Sequence, residues 1–167
     1  ITADVTKAKQ LADMVIVLPH WGTEYVYTPD SNQNYWTQLF LSLGVDVVIG
    51  THPHVLEPVE VVSDTKGHEM LVYYSLGNFV SNQDQKPRMI GGMAKMTLVK
   101  DETGCYVKNY NLTPVITQKL FGKKAITTYK LSDYTESLAS GNAIRNDSGC
   151  SDFSLSYCQT CLLYTSP

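Results

Sequence analysis

The sequence predicts an α/β (α+β) domain, and three observations carry that expectation. Two short apolar runs rich in β-branched residues, MVIVL at Met14–Leu18 and VDVVIG at Val45–Gly50, stand on either side of a stretch with helical periodicity. Each run is continuous rather than alternating, which marks strands buried on both faces, as in a parallel or mixed central sheet. Further on, GGMAKMTLVK and CYVKNYNLTPVI alternate with period two around the turn DETG, the signature of a β-hairpin with one covered face.

Residues 3–12 read as a weak helix, with Ala3, Ala8, Leu11 and Ala12 as its small or apolar positions. MVIVL follows as a strand, and PHWGTEYVYTPD as a loop. Asp30 or Ser31 can N-cap a helix that runs to about Leu43, with Tyr35, Trp36, Leu39, Phe40 and Leu43 on one face. Gly44 stops it as a C′ glycine does. VDVVIG is the second buried strand, and a helical connection between parallel strands is expected to be right-handed. PVEVV and MLVYYS are strands separated by a polar turn at Asp64–Gly67. After the hairpin, Lys130–Asn142 has Leu131, Tyr134 and Leu138 at helical spacing, and Asp152–Gln159 begins a further helix.

The chain has 167 residues, about one domain, and is long enough to bury a sizeable core. Its hydrophobic fraction of 43% and charged fraction of 17% are those of an ordinary globular chain. A net charge of −3 leaves no polybasic footprint, so neither nucleic acid nor an anionic membrane surface is an expected partner. No run approaches the ~20 apolar residues of a membrane-spanning helix. The chain opens on ITADVTKAKQ without an initiator methionine, and its native start is expected to lie upstream. The cysteines are Cys105, Cys150, Cys158 and Cys161, and a lone CxxC at 158–161 is a weak redox signal. The closing stretch CLLYTSP reads as the translation of a transposon-derived sequencing adaptor, so residues 161–167 are expected to be an artefact outside the fold.

The residues that can carry chemistry gather after the two buried strands. In open α/β sheets, ligands sit outside the carboxyl ends of the strands. VIVLPHWGTEY delivers His20, and DVVIGTHPHV delivers His52 and His54, so three of the four histidines converge if these strands are neighbours. A single histidine after a strand is more often a surface or core residue. Three at matched strand ends favour a metal site, where imidazole suits Zn, Fe or Mn and each ring needs a partner on its other nitrogen. Glu24, Thr51 and Glu60 are the candidates for that supporting role. Pro53 is expected to hold His52 extended, so that His52 and His54 face one cavity. His68, in the polar turn, is expected to lie apart and exposed. In YYSLGNFV, Gly77 permits close backbone approach and Asn78 offers a donor and an acceptor. Trp21 and Tyr25 are open to a second reading as rim packing, and Glu24 to one as a solvated loop carboxylate.

Taken together, HWGTEY, GVDVVIGTHPHVLEPVE and YYSLGNFV resemble the bacterial CapA family of poly-γ-glutamate capsule synthesis proteins. The resemblance covers about Ala3–Asn111 well and continues more loosely to about Gln159. That family is similar to a branch of the calcineurin-like metallophosphatases, so the resemblance implies the C-terminal half of a β-sandwich flanked by helices. It implies residues 1–116 as the C-terminal part of that domain and residues 117–160 as a helical extension. It also implies a divalent-metal centre, dinuclear in the full-length protein and holding Mn, Fe or Zn. His20, His52 and His54 would be metal ligands, and His20, Glu24 and Asn78 are the candidate catalytic residues. The aspartate, bridging acid and Asn-His pair of the superfamily's early motifs are not in this sequence. They are expected upstream, so this chain alone is expected to lack the activity and metal affinity of the whole. The implied function is a metal-dependent hydrolase acting in poly-γ-glutamate capsule biosynthesis. The alternative is a non-catalytic capsule-assembly component that holds anionic polymer. The implied partners are poly-γ-glutamate or the capsule-synthesis machinery. The implied location is the cell surface, outside the cytoplasmic membrane, with the full-length form membrane-associated.

Overall fold

The structure is a computed structural model, which describes residues 1–120, 122 and 125–161. The residues after Cys161 in CLLYTSP, and so most of the expected artefact tail, lie outside the described residues. Three layers stack: helices, a four-stranded sheet, and a three-stranded sheet. This is the expected α/β class.

The first helix, α1 (Thr2–Leu11), leads through Val15 into a short strand, β1 (Ile16–Val17). Helix α2 (Ser31–Ser42) follows and then strand β2 (Val47–Ile49). Strands β3 (Val59–Ser63) and β4 (Glu69–Tyr73) complete the first sheet in the order β1-β2-β4-β3. β1, β2 and β4 run parallel, with Ile16 opposite Val47 and Val47 opposite Leu71, while β3 is antiparallel to β4. The parallel trio therefore ends along one edge. α1 and α2 cover one face, where Val5, Val15, Trp21, Phe40, Leu41, Val48, Met70 and Val72 are buried together.

Against the other face lies an antiparallel sheet of β5 (Ile90–Asp101), β6 (Gly104–Leu120) and β7 (Ala125–Lys130). Val47, Val59, Leu71 and Tyr73 fill the space between the sheets with Ala94, Met96, Val107 and Leu112. The long β5–β6 hairpin is the one read from period-two alternation. A short α3 (Glu136–Ser140) and α4 (Leu155–Cys161) then close a second core around Met89, Ile116, Ile144 and Phe153.

Four local expectations are corrected. MVIVL is not buried on both faces: β1 is an edge strand, Ile16 and Leu18 are exposed, and only Val15 is buried. On α2, Phe40 is buried and Trp36 and Leu43 pack against the core as expected, but Gln33, Thr37 and Leu41 are buried as well and Tyr35 points outward. Asp30 is the cap, its carboxylate accepting from the Gln33 amide while the Gln33 side chain accepts from the Asp30 amide. The segment 117–160 begins as sheet rather than helix, since β6 runs to Leu120 and β7 pairs with it. Within it, Lys130–Asn142 is not one helix: a 3₁₀ turn at Leu131–Asp133 breaks before Thr135, whose hydroxyl caps α3.

Candidate metal centre

The parallel register brings the histidines together. The β1–β2 ladder continues past the strands to a bridge between His20 and Thr51, with the Thr51 amide donating to the Pro19 carbonyl and the Trp21 amide to the Thr51 carbonyl. His20 therefore stands beside His52, their ring centroids 4.5 Å apart, and the His52 and His54 centroids are 6.1 Å apart. β4 leads at the same edge into Ser75–Asn78. Three parallel strands thus deliver His20, His52, His54 and Asn78 to one place.

The backbone that presents them is unusual. His52 has φ 113° and His54 φ 61°, and Tyr25 across the loop has φ 67°. Side chains other than glycine seldom adopt this left-handed region, and such strain clusters where a site over-determines it. The extended conformation expected for His52 is therefore not found. The two rings meet because the chain coils tightly around Pro53, and the Pro53 carbonyl accepts from the Tyr25 amide at 2.7 Å. Tight packing also surrounds Gly50, where a Cβ would run into the Tyr74 carbonyl and the Trp21 indole nitrogen. That indole donates to the same carbonyl at 2.9 Å and pins the HWGTEY loop to β4.

One ligand atom from each of Glu24, His52 and His54 lies within 4.8 Å of the other two. Glu24 and the histidines are accessible rather than buried. The His54 ring is held in a defined state. Asn78 Nδ2 donates to the His54 and Arg88 carbonyls, so its Oδ1 faces His54 Nδ1 at 2.9 Å and accepts the proton there. In the neutral ring Nε2 then carries the lone pair, and Glu24 Oε1 stands 4.0 Å from it. Metal–nitrogen and metal–oxygen bonds are each about 2.0–2.2 Å, so both atoms are within reach of one shared cation. Two imidazoles, a carboxylate and a carbonyl-type partner on the outer nitrogen form a donor set that fits a divalent ion. The group Glu24, His52 and His54 could therefore hold a metal.

Of the candidate supporting groups, Glu24 belongs to the donor cluster itself. Thr51 Oγ1 donates to the Pro19 carbonyl at 3.3 Å, and Glu60 lies out on β3 opposite Val72. Asn78 takes the orienting place on His54. His68 is distant from the cluster in the β3–β4 turn, but it is not free there: it is half-buried, and its Nε2 lies 2.8 Å from the Val45 carbonyl.

Behind the loop lies a network that sequence reasoning missed. Glu57 is 1% exposed; its Oε2 accepts from Gln33 Nε2 at 2.6 Å and its Oε1 has no partner among the described residues. Burial pushes the Glu57 carboxyl up to about 7, against the opposing effect of the Gln33 bond. Gln33 joins Asp30, which accepts from Thr23 Oγ1 at 2.7 Å, and the hydrogen bonds from Gln33 and Thr23 hold the Asp30 carboxyl below its ordinary range. Gly22, at φ 84°, leaves room for the Gln33 side chain, which a Cβ would strike. The D-x-x-Q spacing at Asp30–Gln33 was a usable signal for this network. Nothing in the sequence marked Glu57 as buried.

Residues 1–83 match the family model described as bacterial capsule synthesis protein PGA_cap. Over 111 residues the chain is 36% identical to the PGA biosynthesis protein CapA of Bacillus subtilis (strain 168), a match covering 66% of this chain and 27% of that protein. Over 72 residues it is 39% identical to the capsule biosynthesis protein CapA of Bacillus anthracis, covering 43% of this chain and 16% of that protein. The chain thus spans less than a third of either relative. The matched segment, residues 1–83, contains the HWGTEY loop, the THPH turn and Asn78, and together these matches support a fragment of the CapA capsule-synthesis family.

Proposed function

We propose that this chain contributes the Glu24–His52–His54 half of a metal-dependent hydrolytic or transfer centre acting in poly-γ-glutamate capsule synthesis at the cell envelope. The observation that carries the reading is the state of His54: Asn78 fixes its proton on Nδ1 and leaves Nε2 facing Glu24. A resident divalent ion would supply Lewis acidity and an ionised water at neutral pH. Glu24, His52 and His54 would hold it, and Asn78 would keep His54 in the binding tautomer. His20, beside His52, is the donor available for a second ion, and Mn, Fe and Zn all suit this set. The sequence alone led to an expectation of no metal affinity in this chain. With Glu24 in the cluster, the chain itself offers two imidazoles and a carboxylate, enough for one ion.

No described helix is long and apolar enough to cross a membrane. The relatives' names place them in capsule biosynthesis, and the same role is proposed here. A second reading, polymer holding without catalysis, is favoured by the exposed Tyr25 stacked on His54, which suits a binding surface. The experiment is to incubate the metal-loaded full-length protein with γ-linked polyglutamate and with a phosphomonoester, and to follow new amine ends and released phosphate. Release of either product that disappears in His54→Ala supports the catalytic reading. Polymer binding without any product supports the holding reading.

A further inference from the structure

The Tyr25 ring stacks on the His54 ring with centroids 5.9 Å apart, and the Arg88 guanidinium carbon lies 3.5 Å from the same Tyr25 centroid. Arg88 is tied to the centre by its backbone as well, because the Asn78 amide that orients His54 donates to the Arg88 carbonyl at 3.0 Å. A guanidinium is thereby held against an aromatic face one ring away from the candidate ligands. Its side-chain hydrogen bonds all leave from Nη1, to Gln83 Oε1 at 3.2 Å and to Asp84 Oδ1 at 3.1 Å. Nε and Nη2 make no hydrogen bond among the described residues. Asp84 is exposed, and an exposed i,i+4 pair contributes little, so another carboxylate can readily replace it. The neighbouring cations differ: Lys86 is bonded to both oxygens of Asp152, and Lys119 to Asp147. Beside Arg88 opens a shallow cleft of about 440 Å³ lined by Ser81, Asn82, Gln83 and Asp84. Its hydroxyl and amide groups match the hydrogen bonding of amide links.

We propose that Arg88, held on Tyr25, is a carboxylate-binding subsite that seats an anionic, amide-linked polymer in the Ser81–Asp84 cleft beside the metal centre. The planar fork suits a carboxylate, which a lysine in its place would hold only as a point charge. The proposal rests on the capsule-polymer reading above, but its test is separate from metal binding. A γ-linked glutamate decamer is titrated into the protein at low salt in the presence of a chelator, with the side-chain-amidated decamer as the neutral control. Zn²⁺ is titrated separately. We expect Arg88→Met to weaken the glutamate decamer at least tenfold with Zn²⁺ binding retained, and Arg88→Lys to restore only part of the loss. Asp84→Asn, which removes the competing carboxylate, should tighten the decamer several-fold, and it decides the matter if Arg88→Met fails to fold. Equal binding of both decamers, no decamer binding by the unaltered protein, or no gain in Asp84→Asn overturns the subsite. Loss of Zn²⁺ binding alone counts against the metal centre and leaves the subsite standing.

Discussion

Glu57 offers a quantitative test of the network behind the HWGTEY loop. It is fully buried, one carboxylate oxygen has no partner, and burial lifts its carboxyl from 4.5 to about 7. The folded chain therefore holds this proton more tightly than the unfolded chain. By linkage, stability is highest below the unfolded value and falls as pH rises, the loss being complete once pH exceeds the folded value. At about 1.36 kcal/mol per tenfold change in proton affinity, the total is about 3 kcal/mol, most of it between pH 5 and pH 8. Glu57→Gln keeps the shape and the Gln33 hydrogen bond while removing the charge. Thermal unfolding of the two proteins should nearly coincide at pH 5. At pH 8 the variant should melt higher, by about 5–10 °C given roughly 2–4 °C per kcal/mol for a chain of this size. Comparing the pair at each pH cancels the titrating groups that do not interact with Glu57, and Asp30 and Tyr74, which do, titrate below and above this pH range. A gap that is the same at both pH values, or a variant less stable at pH 8, would refute the reasoning.

Asn78→Leu removes the acceptor that orients His54, and calorimetric titration should show Zn²⁺ affinity lower by about 10–100-fold, the usual effect of losing such a partner. His68→Ala should leave metal binding unchanged and lower stability by about 1 kcal/mol in urea unfolding, because the Val45 carbonyl loses its donor. Gly50→Ala should destabilise by more than about 2 kcal/mol, since its methyl group meets the Tyr74 carbonyl and the Trp21 indole, and a near-normal urea midpoint would contradict that packing.

Much of the fold was legible because its signals are local. The β-branched run before Gly50, the Asp30 cap and the alternation on both sides of DETG each determine their own element, and the parallel register then aligns His20 with Thr51. What was not legible depends on partners distant in sequence. Ile16 reads like Val48, yet it sits at a sheet edge because no strand pairs outside β1 among the described residues. Gln33 and Thr37 read as solvent-facing because they are polar, yet they face the core, Gln33 satisfied by Asp30 and Glu57. The gathering of His52 and His54 was anticipated for the wrong reason: positive φ angles turn the rings inward, not alternation along an extended chain. Arg88 lies in a polar stretch with no motif, and only Tyr25 shows why it matters.

The central claim is that Glu24, His52 and His54 hold a divalent ion. The most direct measurement is the metal content of the purified protein after equilibration with Zn²⁺ and gel filtration, by elemental analysis, beside Glu24→Gln, His52→Ala, His54→Ala and His68→Ala. The account predicts at least one ion per chain in the unaltered protein and in His68→Ala, and a lower metal content in each of the other three. Full occupancy in His52→Ala and His54→Ala, or no bound metal in the unaltered protein, would contradict it.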